Sequence, residues 1–146
     1  MENINCKIVK HNSPEYWESI DLREKVLRIP LGLKFSKEEL AAEDKEIHCC
    51  AFVDGKIQAS LSLVILNDER IKVRQVCTSP ELQGSGIGKK LAQFSESWAK
   101  ENGYKIFECN ARSVAVKFYE KMDYKIVSDK FTEVGIDHFK MEKILK

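Results

Sequence analysis

Apolar residues recur along the chain with two periods, and each period predicts one kind of secondary structure. Between residues 57 and 65 every second residue is apolar, which is typical of a strand with one buried face. From Ile87 the apolar positions follow steps of four, three and four, to Leu91, Phe94 and Trp98, which predicts a helix with one apolar face. Over the whole chain the pattern predicts the order β-α-α-β-β-β-α-β-α-β-β.

Turn and cap residues mark the boundaries of these elements. Ser13-Pro14 predicts the start of a first helix, which runs to about Leu27 and ends before Pro30. Asp54-Gly55 is typical of a two-residue hairpin turn and joins strands predicted at 47–53 and 56–66. The remaining signals are a first strand at 4–9, a capping box at Ser36-Lys-Glu-Glu39, a helix stop at Asn102-Gly103 and a strand at 104–109.

Length and composition indicate one globular domain, and residues 1–146 are expected to form it alone. Of the 146 residues 43% are hydrophobic and 32% charged, which suits a protein with a substantial core. The net charge of +1 provides no basic field for nucleic acid or an anionic membrane. The N-terminus lacks a signal-peptide pattern and no apolar run reaches transmembrane length, so a cytoplasmic location is expected.

A glycine-rich segment at residues 83–88, the glycine loop, joins a strand predicted at 70–78 to the helix that begins at Ile87. The first amides of a helix lack internal partners and carry the positive end of its dipole. Glycines let successive amides converge on a ligand, so this loop is typical of a phosphate or pyrophosphate site, and Lys89 and Lys90 add positive charge. Its spacing fits neither the P-loop nor the dinucleotide fingerprint. The alternative is a tight turn before a packed helix.

The cysteines and histidines suggest packing rather than chemistry. The five cysteines are Cys6, Cys49, Cys50, Cys77 and Cys109, an odd number without a C-x-x-C pair, which predicts reduced and mostly buried thiols. The histidines are scattered, so no metal site is expected. Cys77 adjoins the glycine loop and is a candidate acyl-carrying nucleophile. Alternation favours packing, because it places Ile71, Val73, Gln75 and Cys77 on one inward strand face.

Two segments resemble the GNAT superfamily of N-acyltransferases. Residues 76–91 are similar to its acyl-CoA signature Q/R-x-x-G-x-G/A, matched at Gln83, Gly86 and Gly88. Residues 110–124 are similar to its A-x-x-F-Y-E-K-x-G-F segment, and residues 133–141 resemble the small stand-alone ElaA-like subgroup. The two motifs follow the family's order, and the resemblance covers nearly the whole chain.

The resemblance implies a fold, a cosubstrate and a set of contacts. The implied fold is the α/β (α+β) GNAT fold, with a mixed central sheet of about six or seven strands flanked by about four helices. The implied cofactor is acetyl-CoA, with its pantetheine arm between two splayed strands and its pyrophosphate on the loop amides. Mainly backbone contacts are implied for Val76, Cys77, Thr78, Gln83, Gly84, Ser85, Gly86, Ile87, Gly88 and Lys89.

The last helix carries the implied catalytic residue. It is predicted from Ser113, as N-cap, to about Met122. Its inner face is predicted to carry Val114, Ala115, Phe118 and Met122, with Tyr119 beside that face. A phenol at this position is the family's usual general acid, which implies Tyr119 as proton donor to the departing thiolate. The alternative for Tyr119 is an aromatic that packs in the core. The base stays open between Glu108, His138 and an ordered water.

Two departures from the family pattern alter the expected contacts. Asp123 replaces a glycine, and aspartate tolerates a left-handed φ well enough to keep the turn. Arg112 stands where many members carry a CoA-contacting asparagine, so either Asn110 or Arg112 itself is expected to contact the cofactor. The resemblance also makes Arg23, Tyr16 and Phe35 possible acceptor contacts, with packing as the alternative for each.

Three functions are compatible with these features. The first is an acetyl-CoA-dependent N-acetyltransferase, in which the amine of a small molecule or a protein attacks the thioester directly. The second is a non-catalytic acyl-CoA-binding sensor, which would need the glycine loop but not Tyr119. The third is a dimeric interaction module with a vestigial cofactor site. Intact Gln83, Gly86, Gly88 and Tyr119 favour the first, and a homodimer is compatible with all three.

Overall fold

The fold is built on one mixed sheet, and the computed structural model describes it over residues 3–146. Its eight strands are Ile4–Val9 (β1), Ile47–Val53 (β2), Lys56–Ile65 (β3), Arg70–Thr78 (β4), Ile106–Arg112 (β5), Lys125–Ile126 (β6), Phe131–Glu133 (β7) and Ile136–Ile144 (β8). They lie in the order β1-β2-β3-β4-β5-β8-β6, and β7 also pairs with β8. Only the central pair of β4 and β5 is parallel among these strands. The predicted fold class is thus confirmed, with eight strands.

Within the described residues four α-helices accompany the sheet: Pro14–Arg23 (α1), Lys37–Ala41 (α2), Ile87–Glu101 (α3) and Val116–Glu120 (α4). The capping box before α2 is present, since Ser36 Oγ accepts from the Glu39 amide at 3.0 Å and Glu39 Oε1 accepts from the Ser36 amide at 3.1 Å. The first helix does not stop before Pro30. It continues as a π turn at Glu24–Arg28 and a 3-10 turn at Ile29–Leu31, whose first positions tolerate proline, and it ends at Gly32 with φ of 71°. No helix within the described residues is long and apolar enough to cross a membrane.

The two faces of the sheet carry two separate cores. The larger core lies under α3 and α4 and includes Ile71 and Val73 of β4 with Ile87 and Leu91 of α3. The smaller core lies under α1 and α2 and includes Cys77. Cys77 is therefore buried on the face opposite to Ile71 and Val73, which makes the predicted alternation wrong beyond Val73.

A β-bulge in β4 causes this reversal. The register against β3 shifts between the pairs Ser62–Arg74 and Ser60–Cys77, so one residue of β3 faces two of β4. Gln75, within the bulge, has φ of 56°, an uncommon conformation for a residue other than glycine. The extra residue directs Val76 towards the larger core and Cys77 towards the smaller one.

The same region of the sheet opens between its two central strands. The parallel pairing of β4 with β5 runs from Arg70–Ile106 to Val73–Cys109 and ends there, although both strands continue. Beyond that point β4 stays paired with β3 through Ser60–Cys77 and Ala59–Thr78, and β5 stays paired with β8 as far as Arg112–His138. The sheet therefore splits into a cleft whose walls are strands that remain paired on their outer sides.

The segment after β5 turns differently from the prediction. Ser113–Ala115 forms a 3-10 turn, and only Val116–Glu120 is α-helical. The Ser113 hydroxyl donates to the Asp137 carbonyl at 3.2 Å and does not cap the helix. The shift in helical phase leaves Val114 and Phe118 92% and 40% exposed and buries Tyr119. The predicted inner face is therefore wrong at Val114 and Phe118, whereas Ala115 and Met122 pack against the larger core as predicted.

Candidate functional site

Two cavities meet where the sheet opens. The loop cavity, of about 510 Å³, lies among the end of β4, the glycine loop and α4. The polar cavity, of about 450 Å³, lies among the same part of β4, β5, the turn between β7 and β8, and the irregular end of the first helix. The residues that line both are Val76, Gln83, Val114, Ala115 and Tyr119. Because they share these residues, the two cavities adjoin, and together they are called the groove below.

Backbone geometry gives the loop cavity its chemistry. Within the loop, the Ser85 amide donates to the Leu82 carbonyl at 3.1 Å and the Lys90 amide donates to the Gly86 carbonyl at 3.0 Å. Among the described residues, the amides of Gly84, Gly86 and Gly88 donate to no backbone or side-chain acceptor at hydrogen-bonding geometry. Gly86 also occupies the N-cap of α3 without a side-chain cap. Free amides at a helix start form an anion site, since the helix dipole adds positive potential there.

The glycines leave space for a ligand in front of these amides. Gly84 and Gly86 have φ of 83° and 93°, and a β-carbon built on either would meet nothing within 4 Å. Gly88 faces inwards, where a β-carbon would lie 3.3 Å from Thr78 Oγ1 and 3.6 Å from Phe118 Cζ. Gly84 and Gly86 therefore permit the turn and the approach of a ligand, whereas Gly88 permits the packing of α3 on β4 and α4.

The opened strand edge adds further backbone groups. From Arg74 to Thr78, β4 has no strand partner on the side of β5. One group is already used, because Gln83 Nε2 donates to the Thr78 carbonyl at 3.3 Å. A ligand with amides of its own can pair with an open strand edge as an added strand does. The loop and the edge together fit a chain that carries amides and ends in a diphosphate.

Tyr119 lies between the two cavities. Its ring contacts those of Phe118 and Tyr124, with centroids 5.2 Å apart in each pair. The hydroxyl forms no hydrogen bond with any described residue. It is not completely buried, since it is not among the buried polar atoms that lack a partner. Burial, with a smaller contribution from the nearby Cys109, raises the pKa of Tyr119. The phenol therefore stays protonated at neutral pH, and Tyr119 lines both cavities.

The polar cavity carries more positive than negative charge. Its charged side chains are those of Arg28, Lys72, Arg74, Arg112 and Glu133. Arg28 pairs with Glu39 at 3.1 Å and Arg74 pairs with Glu46 at 3.0 Å. Arg112 donates to the Leu27 carbonyl at 3.3 Å, and neither Arg112 nor Lys72 forms an ion pair within residues 3–146.

The two side chains considered as bases lie in different surroundings. Glu108 does not line either cavity and pairs with Arg70 at 2.9 Å and with Lys140 at 3.5 Å. His138 lines the polar cavity, and its Nδ1 lies 2.8 Å from the Ile136 carbonyl, which can only accept a hydrogen bond. The neutral ring must then carry its proton on Nδ1, which leaves the lone pair on Nε2.

The predicted contact residues divide between the cavities. Those that line the loop cavity are Val76, Cys77, Thr78, Gln83, Gly84, Gly86, Gly88, Lys89 and Tyr119. Asn110 and Arg112 line the polar cavity and not the loop cavity. Ile87 is fully buried, so only its backbone can face the loop, and the Ser85 hydroxyl is bound to the Leu82 carbonyl at 2.5 Å. Sequence reasoning did not single out Gln75 and Glu133, which also line the polar cavity.

The residues suggested as acceptor contacts lie outside both cavities, Tyr16 and Arg23 in the first helix and Phe35 in the loop before α2. Arg23 and Tyr16 are 2% and 0% exposed, and both bind Glu43, at 2.8 and 2.9 Å. Phe35 lies beneath the guanidinium groups of Arg23 and Arg28, at 4.7 and 4.2 Å. None of these three lines either cavity. Packing, the alternative for these residues, therefore agrees better with the structure, since the helix turns Tyr16 and Arg23 towards Glu43 and Phe35 packs on the two guanidinium groups.

A protein-family model decides the classification. The model of the acetyltransferase (GNAT) domain matches residues 33–145 of this chain. The chain belongs to the GNAT acetyltransferase family. The matched span contains β2 to β8, the glycine loop and Tyr119, whereas the part of the groove lined by the first helix precedes it.

Other GNAT proteins resemble the chain over nearly its full length. The uncharacterized N-acetyltransferase YjcF of Bacillus subtilis is 25% identical over 137 residues, which are 93% of this chain and 97% of that protein. A solved structure from Lactobacillus plantarum has a TM-score of 0.83 at 24% identity, with 97% of this chain and 99% of that one covered. An Elizabethkingia anophelis GNAT acetyltransferase with acetyl-CoA bound has a TM-score of 0.77 at 18% identity, with 99% and 100% covered.

The resemblance to the ElaA-like subgroup extends to the fold. Escherichia coli ElaA has a TM-score of 0.80, with 97% of this chain and 99% of ElaA covered. Its identity of 17% shows a shared fold alone. Membership is therefore shown for the GNAT family and not for that subgroup.

Proposed function

We propose that this GNAT protein is an acetyl-CoA-dependent N-acetyltransferase in which an amine attacks the thioester directly. The observation that carries the proposal is the position of Tyr119, a protonated phenol at the junction of the loop cavity and the polar cavity. The first cavity offers free amides for a diphosphate and an open strand edge for an amide-bearing arm. The second provides a polar chamber for an acceptor.

Bound acetyl-CoA would supply an activated acyl group at the end of the arm. Gly84, Gly86 and Gly88 would hold its diphosphate by their amides, with Lys89 adding positive charge, and Val76 and Thr78 would offer backbone groups at the strand edge. Asn110 and Arg112 lie in the other cavity, so we assign them to the acceptor and not to the cofactor.

Tyr119 and His138 would handle the protons. The attacking amine must lose a proton, and His138 Nε2 has the free lone pair to accept it. The C–S bond breaks as the C–N bond forms, and Tyr119 would donate its proton to the departing sulfur. We do not assign the base role to Glu108, because it forms ion pairs with Arg70 and Lys140 and lines neither cavity.

Cys77 takes no part in this scheme. Its side chain is 4% exposed on the α1 face of the sheet, 3.3 Å from Ser60 Oγ. Burial raises the pKa of this thiol, so it is not poised as a thiolate nucleophile. Direct attack by the amine therefore agrees better with the structure than transfer through Cys77.

The test is calorimetric titration with acetyl-CoA, followed by thiol release across a panel of amines. Gly86→Glu should abolish binding, because its carboxylate would enter the amide cradle and repel the diphosphate. Gly103→Glu is the matched control: Gly103 has φ of 87° and equal open space, but it lies at the other end of α3. Both variants carry the same backbone strain and charge change, so only the site differs.

The outcomes separate the candidate functions. Binding with amine-dependent thiol release supports the transferase. Binding without release from any amine would favour an acyl-CoA sensor. Absence of binding, or normal binding by Gly86→Glu, would refute the placement of the cofactor.

A further inference from the structure

We infer that the acceptor is a small amine that also carries an anionic group, a carboxylate or a phosphate, which Arg112 and Lys72 bind in the polar cavity. The inference rests on the proposed function and specifies its substrate class. It follows from the charge in that cavity, from the pairing of each charge, and from the neighbouring groups that can accept a proton or a hydrogen bond.

Two of the cations in the cavity are already neutralised. Arg28 is paired with Glu39 and Arg74 with Glu46. These pairs fix the walls of the cavity, and little of their charge is left for a ligand.

Arg112 and Lys72, unlike Arg28 and Arg74, are not neutralised by a carboxylate among the described residues. Both are half-buried, line the cavity and form no ion pair within residues 3–146. Arg112 uses one donor on the Leu27 carbonyl at 3.3 Å, which anchors the guanidinium and leaves its other donors free. A half-buried cation without a partner is costly unless a ligand supplies the counter-charge. A guanidinium matches a carboxylate or phosphate in a bidentate manner.

Other side chains of the same cavity can accept hydrogen bonds from the amine of the acceptor. Gln75 Oε1 is buried and has no partner among the described residues, so it leaves a free acceptor in the wall of the cavity. Glu133 is the single carboxylate of the lining and is held by Asn110 Nδ2 at 3.1 Å. His138 offers Nε2. The cavity thus contains acceptors for an ammonium group and free cations for an anion, which matches a molecule that carries both.

The location of Arg112 relates the anion site to the reaction. Arg112 is the register partner of His138 across β5 and β8, so the anion site and the proposed base lie side by side. The volume of about 450 Å³ suits a molecule of amino-acid size and exceeds what a single amine group needs.

The experiment compares amines in matched pairs that differ only in the anionic group. Suitable pairs are an amino acid with its amide, and phosphoethanolamine with ethanolamine. The anionic member should have kcat/KM about 10- to 100-fold higher, as expected for one desolvated charge-assisted interaction. The two kinds of pair show whether a carboxylate or a phosphate is preferred. Equilibrium binding of each amine to the CoA-loaded protein is measured in parallel, so the result does not depend on turnover.

Arg112→Met should bring the ratio of kcat/KM between the anionic and the neutral member of each pair close to one, mainly by raising KM for the anionic member. Arg112→Lys should restore part of the preference for the anionic member. Lys72→Met keeps the contact between Arg112 and Leu27, so it tests the same anion site if Arg112→Met proves unstable. Lys105→Met is the control, since Lys105 is exposed, pairs with Glu69 and lies outside the cavity.

Equal binding and turnover of both members of every pair would overturn the inference and leave the transferase standing. A preference for the anionic member that survives both Arg112→Met and Lys72→Met would also overturn it. If the wild-type protein does not bind acetyl-CoA, the proposed function itself is refuted.

Discussion

Tyr119→Phe is the sharpest perturbation of the proposed chemistry because it removes one oxygen atom and leaves the packing in place. The ring contacts with Phe118 and Tyr124, at centroid distances of 5.2 Å, do not involve the hydroxyl. The hydroxyl has no hydrogen-bond partner among the described residues, so none is orphaned by the substitution. We therefore expect the free energy of unfolding to change by less than about 1 kcal/mol.

The kinetic effect should be much larger than the effect on stability. Proton donation by a positioned group contributes about 10²- to 10⁴-fold, which corresponds to about 3 to 5 kcal/mol in the activation free energy. The loss should fall on kcat. The dissociation constant of acetyl-CoA should not change, because backbone amides of the glycine loop provide the proposed diphosphate contacts.

The pH dependence provides a second, independent readout. Burial raises the pKa of Tyr119 above its ordinary value of about 10, so the phenol remains protonated throughout the neutral and mildly alkaline range. The wild-type rate should therefore show no fall due to Tyr119 below about pH 9. If a decline occurs in that range, it should persist in Tyr119→Phe, since it would come from another group.

The assay is thiol release under saturating acetyl-CoA, with calorimetry and chemical denaturation on the same samples. Tyr124→Phe is the control, because Tyr124 is 5% exposed, contacts the Tyr119 ring and lines neither cavity. Unchanged kcat in Tyr119→Phe, or an equal loss in both variants, would refute the acid role.

Three other predictions follow from buried groups. Arg23→Met should reduce the free energy of unfolding, measured by urea denaturation, by about 3 to 5 kcal/mol, because Glu43 would keep a buried charge without its partner. A reduction of less than about 1 kcal/mol would contradict this prediction. Burial lowers the pKa of His48, so stability should fall as pH drops below about 6.5, by at most about 1.4 kcal/mol per unit, and His48→Gln should flatten this slope. Incubation with acetyl-CoA without an amine should leave the intact mass of the protein unchanged, and an acetyl adduct at Cys77 would indicate a covalent route.

The sign of the His48 effect follows from its environment. His48 is 3% exposed, its Nε2 donates to the Glu43 carbonyl at 3.0 Å, and its Nδ1 accepts from Ser62 Oγ at 3.2 Å. Protonation of Nδ1 would remove that acceptor and charge a buried ring. The unfolded chain then binds more protons than the folded one between the two pKa values, so stability is complete above the unfolded pKa and declines as pH falls towards the folded one.

Features set by neighbours in sequence were predicted well. The Asp54-Gly55 turn, with φ of 51° and 81°, and the helix stop at Gly103, with φ of 87°, both follow from residue types that tolerate positive φ. The bounds of β4, from Arg70 to Thr78, are those predicted from the run between Asn67 and Ser79-Pro80. Asp123 adopts φ of 70°, which keeps the turn that the family makes with glycine.

Features set by distant contacts were missed. The bulge at Gln75 depends on pairing with β3, and nothing at Gln75 itself indicates a positive φ. The burial of Arg23 depends on Glu43, twenty residues away, whose charge cannot be assigned to a buried partner from spacing. The phase of α4 depends on the bond from Ser113 to Asp137, which uses the hydroxyl expected to cap the helix. In each case a residue of ordinary local propensity is redirected by a partner from another element.

The bulge and the cleft have a common structural basis that explains why the site is preorganised. Parallel pairing of β4 with β5 ends at Val73, immediately before the register shift against β3. The inner edges are thus free for a ligand, while Cys77 and Thr78 remain bound to β3 and Ala111 and Arg112 remain bound to β8. A cleft made by fraying would have to be ordered on binding, whereas a cleft with both walls paired on the outside is already ordered, so less binding energy is lost to conformational entropy.

If Gln75 is replaced by glycine, which adopts positive φ more readily, the bulge should persist and acetyl-CoA affinity should be retained. A β-branched residue such as Gln75→Val should resist positive φ and weaken acetyl-CoA binding without any change in the glycine loop.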